Sequence, residues 1–420
     1  MILEGKVAPG FESVQQLYEQ NMQKLAERNT QLCVYVGDEC VVDLWGSAID
    51  DSSFNGDSLV NVFSSSKTLE SILLARLFDK GLIDYNEPIA TYWPEFCQQG
   101  GQPSSTTIAD MMRHEAGLAA FDASIPLASL QADAIKQNAI GKIIEQQSQM
   151  FRDGADNQRE YHALTRGFIA NEVFRRVEPQ GRTMGEYLRQ EITGPLGADA
   201  YLGLRDAELQ RHCDGVMLGF GYVFAQGLIP KVLGRKMELN LAQTIGRVAT
   251  LRSNLGNGSR GKTPPPLEGM KKISIFDSPE VNSGEIPSAG AKCSARGLAK
   301  LAQVMANGGT AGGVEVLSES AWSAMHAAPV ERNMLMMDTT FTQGGLATFA
   351  TAGSQASKLD RGLNNGREGY FGWMGLGGSV FQWHPEKKIG FAYVPTSLNL
   401  LDVVNERGKG YQAEVARVVG

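Results

Sequence analysis

Three short segments carry residue types able to perform acyl-transfer chemistry. The first is Phe63-Ser64-Ser65-Ser66-Lys67, an S-x-x-K at the start of an apolar, helix-like stretch. Residues three apart on a helix share a face, so Lys67 projects beside Ser64. A serine hydroxyl is a weak nucleophile until a neighbouring base takes its proton, and a lysine does this when burial or a second cation lowers its pKa. A helix N-terminus adds free backbone N–H groups near a reacting carbonyl oxygen. Ser64 can also be read as a helix cap, a part that Ser65 or Ser66 could equally take. A second S-x-x-K, Ser259–Lys262, lies in a Gly/Pro stretch where no helix would align the two side chains.

The second segment is Tyr161-His162-Ala163, ahead of a helical pattern over 164–177. A tyrosine serves as a base only where cations stabilise its phenolate, and Lys67 would be such a cation if the fold brings the two together. A core tyrosine with a satisfied hydroxyl is the alternative for any one of the 11 tyrosines. The third segment is Tyr370–Ser379, with Gly372, Gly375, Gly377 and Gly378. Glycines this dense in a strand mark close approach of another backbone or a ligand, although a bulged or twisted strand leaves the same pattern. A strand edge here could present a backbone N–H to a developing oxyanion.

Other chemistries lack their signatures. No G-x-S-x-G nucleophile elbow exists, and the glycines after Gly375 lack the final glycine of a dinucleotide fingerprint. His114-Glu115 starts like H-E-x-x-H, but Leu118 occupies the second ligand position. No metal or cofactor is therefore expected. His114 and His162 read as structural hydrogen-bonders, His384 as a solvated turn residue, and Trp45, Trp93 and Trp383 as core or sheet-face residues.

The elements that must position these segments follow from hydrophobic period. Residues 11–28 read as an amphipathic helix, then Leu32–Val36 and Cys40–Trp45 as a hairpin around Gly37-Asp38-Glu39. The other end mirrors this, with strands over 378–384 and 389–394 and a closing helix over 400–418. Between them lie helices over 67–79, 164–177 and 183–193, one capped by Ser294, and a stretch over 256–287 that reads as a long surface loop able to act as a lid. The expected fold is α/β: an antiparallel sheet formed by the N- and C-terminal segments and flanked by helices, plus a large, mostly helical lobe. The sheet domain is assigned to 1–60 and 335–420, and the lobe with the nucleophile and base motifs to 61–334.

Composition narrows the function. The net charge of −7 and the absence of a Lys/Arg-rich run argue against nucleic-acid binding. No apolar run approaches the roughly 18 residues that span a bilayer, so no membrane partner is expected. The N-terminus lacks the apolar core of a secretory signal, and five scattered cysteines point to free thiols in a reducing compartment, the cytoplasm. Self-association into a homo-oligomer is compatible with all of this.

The order of the three motifs is more specific than any one of them. S-x-x-K at Ser64–Lys67, Tyr161 and Trp373-Met374-Gly375 together resemble the family VIII carboxylesterases of the serine β-lactamase and penicillin-binding-protein superfamily, nearest to class C β-lactamases. Val41–Gly46, Tyr92–Phe96, His114–Leu118, Gly194–Gly197 and Ile286–Ala289 look like landmarks of that family, so the resemblance covers nearly the whole chain. It implies a serine β-lactamase/transpeptidase-like fold, with Ser64 as nucleophile and Lys67 and Tyr161 sharing the general-base and general-acid work. It further implies an oxyanion hole from the backbone N–H groups of Ser64 and Leu376, and substrate contacts from Trp373, Met374 and Gly375. The implied activity is hydrolysis of short-chain carboxylic esters, with a small-molecule ester as partner and an acyl-enzyme as intermediate. An acyltransferase, a β-lactamase or D-amino-peptide hydrolase, and an inactive scaffold or filament-forming homologue are the rival readings. Trp373-Met374-Gly375 stands where β-lactamases have K-T-G, and Ala163 where class C enzymes have the Asn of Y-x-N, which disfavours antibiotic hydrolysis. Lys262-Thr263-Pro264 resembles K-T-G only superficially.

Overall fold

The short β-rich runs at the two chain ends meet in one sheet. The computed structural model describes residues 1–97, 104–150, 159–256, 263–334 and 336–420. Its main sheet has nine antiparallel strands: β1 Ile2–Val7, β2 Asn29–Val36, β3 Glu39–Ser47, β4 Val330–Met334, β5 Met337–Phe341, β6 Ala347–Thr348, β7 Phe371–Met374, β8 Val380–His384 and β9 Ile389–Pro395. Their spatial order is β1-β3-β2-β9-β8-β7-β6-β5-β4. The two ends join where β9 pairs with β2, from Ile389 opposite Val36 to Pro395 opposite Thr30.

Five helices frame the sheet and the site: α1 Glu12–Lys24, α2 Ser66–Asp79, α3 Thr165–Val177, α4 Ala295–Ala306 and α5 Glu406–Val419. The alternation along β9 assigns its two faces. Ile389, Phe391 and Tyr393 join a core with Val14 and Tyr18 of α1 and Tyr411 of α5, whereas Ala392 and Val394 join the core that contains α4 and α2. A Cβ at Gly390 would lie 2.4 Å from the backbone nitrogen of Gln303, so a side chain there would push α4 off the sheet. On the lobe side α2 is buried from Ser66 through Ala75, an interior helix without a solvent face.

Several boundaries differ from the sequence reading. The first helix stops at Lys24 and the last begins at Glu406. Beyond the two hairpins, β1 and β4–β6 extend the sheet, and α4 covers it, although β4 and α4 lie within 61–334. The 183–193 stretch makes one α-helical turn, Met184–Tyr187, and then widens into a π-helix, Leu188–Thr193. Pro195 has no N–H to return to Glu191, and the chain resumes only as the short helical turn Gly194–Leu196. A helix over Leu241–Gly256 precedes the expected loop. Within that loop Leu267, Phe276, Val281 and Ile286 are buried, so its described part is packed against the body; prolines and short apolar spacings hid this. Ser259 and Lys262 lie outside the described residues. Among the described residues no helix is long and apolar enough to cross a membrane.

A buried ion pair ties the two chain ends to the glycine-rich strand. Arg407 of α5 donates to Glu27 at 2.8 Å, to Ser397 O at 2.9 Å and to Gly377 O, while the Tyr393 hydroxyl donates to Glu27 at 3.0 Å. Burial alone pushes the Glu27 carboxyl upward, and the Arg407 charge works against that. Removing one partner leaves the other charge uncompensated in the interior. Arg407→Ala is therefore expected to lower unfolding stability by roughly 3–5 kcal/mol in a urea titration. A loss below ~1 kcal/mol would show that the pair does not hold the ends together.

Candidate active site

Ser64 sits where a buried strand turns into a buried helix. Leu59–Asn61 lies in a small four-stranded sheet, Phe63–Ser65 forms one 3₁₀ turn, and α2 starts at Ser66. Phe63 has φ of +45°, a left-handed conformation that costs an aromatic residue energy. Its surroundings impose it. Val62 N–H donates to Ala291 O at 3.0 Å, Ala291 N–H donates to Ser66 Oγ at 3.1 Å, and the Phe63 ring meets Phe276 edge-on at 5.4 Å. The helix begins after Ser65 without a side-chain cap, so the capping alternative does not describe Ser64. Its Oγ instead accepts from the Tyr161 hydroxyl at 2.6 Å and stands 3.4 Å from Lys67 Nζ.

Lys67 is held on three sides. Its Nζ donates to Ala163 O at 2.6 Å and to Ser288 O at 3.0 Å, and its remaining direction faces Ser64. Burial holds its pKa well below the usual lysine value; the Glu70 carboxylate pulls it back up, and the Arg166 cation presses it down. Tyr161 moves the opposite way: burial raises its pKa, and its hydrogen bonds with Ser64 and Trp373 partly offset that. The Trp373 indole N–H donates to the Tyr161 oxygen at 3.2 Å, and Lys67 Nζ lies 4.9 Å from the Tyr161 ring centroid.

Beneath these groups lies a layer that sequence reasoning missed. Arg166 of α3 donates to Glu70 at 2.7 Å, to Lys67 O at 2.9 Å and to Met112 O at 3.0 Å. Ser288 donates its hydroxyl to Glu70, accepts from Gly167 N–H at 2.8 Å and offers its own carbonyl to Lys67. Glu70 follows Lys67 by three residues on α2, a spacing that places it on the same face; only Ser288 falls within a quoted landmark.

The third motif closes the site from the sheet side. A Cβ on Gly375 would come within 2.2 Å of Val62 O and of Ser379 Oγ, which is the close backbone approach that the glycines suggested. The neighbouring N–H groups are committed: Ser65 to Val62 O, Gly375 to Ser379 O and Trp373 to Thr68 Oγ1. Ser64, Tyr161, Trp373, Met374, Gly375 and Leu376 all line one cleft of about 190 Å³. Its remaining walls were not read from the sequence. Met334, Met336 and Met337 come from the β4–β5 hairpin, and Asn399, Leu400 and Val403 from the turn before α5. Met, Leu and Val at such positions leave no signal beyond ordinary core composition, and Asn399, Asp402 and Asn405, which also line the cleft, read as turn residues.

The histidines take structural places. His162 Nε2 accepts from Leu118 N–H at 3.0 Å, and His114 Nδ1 accepts from His162 N–H at 3.1 Å. His384, expected as a solvated turn residue, is buried instead; its Nδ1 accepts from Lys387 N–H at 3.2 Å and its ring packs on Tyr370. The ring also fills the space beside Gly369, where a Cβ would lie 2.4 Å from His384 Nε2. Trp93 and Trp383 are fully buried, and Trp45 lies under the Arg296 guanidinium. Among the described residues His212, Asp214 and Asp277 bring ligand-type atoms within 4.8 Å of one another, but none of them lines the cleft.

Residues 14–412 match the family described as Beta-lactamase. The chain is 27% identical over 373 residues to the esterase/beta-lactamase LipL of Mycobacterium tuberculosis, covering 87% of this chain and 76% of that protein. A penicillin-binding protein homologue from Caulobacter crescentus shares 25% identity with a TM-score of 0.76, both chains covered in full. A family VIII carboxylesterase, at 23% identity and a TM-score of 0.75 over both full chains, shares the fold. So does EstA from Arthrobacter nitroguajacolicus, at 24% identity and a TM-score of 0.73, with 98% of this chain and 97% of that one covered.

The charges around Lys67 make a signed prediction. Glu70→Gln removes the group that raises the Lys67 pKa and leaves Arg166, which lowers it. Neutral Lys67 should then persist to lower pH, and the acidic limb of Ser64 labelling by a fluorophosphonate should move to lower pH. A shift toward higher pH would show that Glu70 does not act on Lys67 electrostatically.

Proposed function

The chain belongs to the Beta-lactamase family and is a hydrolase of the serine β-lactamase superfamily, and from that premise we propose that it cleaves short-chain carboxylic esters through an acyl-enzyme on Ser64. The observation that carries this reading is the setting of Lys67. Two carbonyls, Ala163 O and Ser288 O, take two of its N–H groups, so a neutral amine would direct its lone pair at Ser64 Oγ. Its depressed pKa favours that neutral form.

In the proposed reaction Ser64 Oγ bonds to the ester carbonyl carbon as its proton passes to Lys67. The backbone N–H groups of Ser64 and Leu376 receive the developing oxyanion. Collapse of the tetrahedral intermediate breaks the carbon–oxygen bond, and the Tyr161 phenol gives its proton to the departing alcohol. The Trp373 N–H and the Lys67 ammonium stabilise the transient phenolate, and Lys67 then returns a proton to it. Water reverses the sequence: the Lys67–Tyr161 pair takes its proton, hydroxide adds to the acyl carbon, and Ser64 leaves reprotonated. Trp373, Met374 and Gly375 border the acyl group. A cleft of about 190 Å³ supports a short acyl chain. The scattered, odd-numbered cysteines support a reducing compartment, the cytoplasm.

Ser64→Ala is expected to abolish nitrophenyl ester hydrolysis and phosphonate labelling without changing the melting temperature, whereas Ser259→Ala should change little. An active Ser64→Ala variant would refute the nucleophile. Lys67→Ala and Tyr161→Phe should each remove most of kcat, and the double variant should be little worse than either, because residues acting as a unit are non-additive. Losses that multiply would count against a shared proton-transfer role.

Specificity follows from the same walls. The Trp373 indole N–H is engaged by Tyr161, and Ala163 offers a methyl group, so a β-lactam carboxylate would be desolvated with no cation supplied at these positions. Short-chain esters should show kcat/KM at least ~100-fold above penicillins, about 2.7 kcal/mol in transition-state binding. Comparable specificity constants for nitrophenyl butyrate and a penicillin would favour a lactamase.

A further inference from the structure

One stretch of the surface departs from the rest in both polarity and charge. Among the described residues ten large apolar side chains are exposed, and seven of them lie between Val216 and Ile245. Val232 is 92% and Leu233 73% exposed, and Phe220, Tyr222 and Leu228 are exposed with them. These residues belong to the helix Phe220–Leu228 and the turn after it, Lys231–Leu233. The helix is anchored from inside: Val223 packs on Met237 and Leu401, and a Cβ on Gly227 would press on Leu241. Its other side shows solvent Gly221, Tyr222, Ala225 and Leu228, with no charged residue from Phe220 to Pro230. Exposed apolar groups concentrated in this way mark a contact surface.

The charge of the same region is reversed relative to the molecule. Residues 216–245 contain Lys231, Arg235 and Lys236 and a single acid, Glu238, for a net +2, whereas the rest of the chain carries −9. Next to the apolar tip stand Lys231, Arg235 and Lys236. Lys231 meets Glu238 at 3.2 Å, an exposed pair that solvent screens, and Arg235 folds back onto Met237 O; Lys236 is exposed. The start of the segment adjoins the strand that leads into the cleft. Val216 and Met217 pair with Ser397 and Leu398, and the next residues, Asn399 and Leu400, line the cleft.

We propose that the 216–245 segment is a docking surface for an anionic lipid interface, the exposed apolar side chains entering the acyl boundary and the flanking cations meeting the headgroup phosphates. The charge complementarity decides the occupant: a basic, apolar patch on an otherwise acidic molecule attracts a negatively charged bilayer surface and turns this face toward it. The protrusion agrees, because Val232 and Leu233 stand out on a turn, a shape suited to insertion more than to a flat protein interface. Docking of this kind requires no spanning helix. It would bring the mouth of the Ser64 cleft toward esters carried in the lipid phase.

Vesicle flotation of the full chain tests this. To separate docking from catalysis the Ser64→Ala variant is used first, since it keeps the surface whatever the fate of the esterase reading. It should float with vesicles of phosphatidylglycerol and phosphatidylcholine, less with phosphatidylcholine alone, and less again at high salt. Val232→Glu with Leu233→Glu should lower the partition coefficient at least about tenfold, and Lys231→Glu with Lys236→Glu should abolish the preference for the anionic vesicles. Both pairs should hydrolyse a soluble nitrophenyl ester at the wild-type rate when Ser64 is present. Equal flotation of parent and variants, or no flotation of the parent with either vesicle, overturns the proposal. So does a dimer by light scattering that the Val232→Glu, Leu233→Glu pair dissociates, since the patch would then serve a second copy of this chain.

Discussion

The structure around the site depends on one constraint: an amine must be buried without becoming an unsatisfied charge. Lys67 lies at the foot of a helix that has no solvent face, and ammonium in such a place is expensive unless its protons are received. Two backbone carbonyls receive them, one from Ala163 before α3 and one from Ser288 before α4. Those carbonyls fix the ends of two distant segments against α2. The Glu70–Arg166 pair below then locks α2 to α3, with Arg166 also reaching the Met112 and Gly345 carbonyls. Charge, burial and chain path are thus settled by a single network.

The sheet supplies the opposite wall, and its glycines are steric consequences of that meeting. β7 must pass so close to Val62 that position 375 has no room for a side chain, and α4 must lie so close to β9 that position 390 has none. Arg407 holds the far end by joining Gly377 O and Ser397 O to Glu27 between α1 and β2. The cleft is left where the sheet and lobe meet, with the Ser64 turn on one side. On the other are methionines, whose unbranched side chains adapt to irregular surfaces.

Much of this was legible in residue types. The S-x-x-K spacing survives because two groups on one helix face must sit three residues apart, and the Ser64–Lys67 contact obeys that local rule. The two hairpins were legible because alternation and turn residues are local, as at Gly37-Asp38 and Pro385–Lys388. Other features had no local trace. His384 at a hairpin end looks solvated in sequence, and only the packing of Tyr370 against it makes it buried. Strands as short as Ala347–Thr348 are too brief for any period to show, and Phe276 sits among prolines and charges that read as loop.

The sequence alone determined which chemistry was available: a serine, a lysine and a tyrosine in an order that matches one superfamily, on a sheet built from both chain ends. Tertiary structure decided how that chemistry is tuned. The carbonyl of Ser288 reaches Lys67 across 221 positions and that of Ala163 across 96, and every residue type has a carbonyl, so composition cannot mark them. The Tyr161 hydroxyl arrives from 97 positions away and the Trp373 indole from 212 beyond that. Side-chain identity is written in the chain, whereas the lowered lysine and raised tyrosine pKa values arise from burial and from neighbours that meet only when the sheet and lobe close on each other.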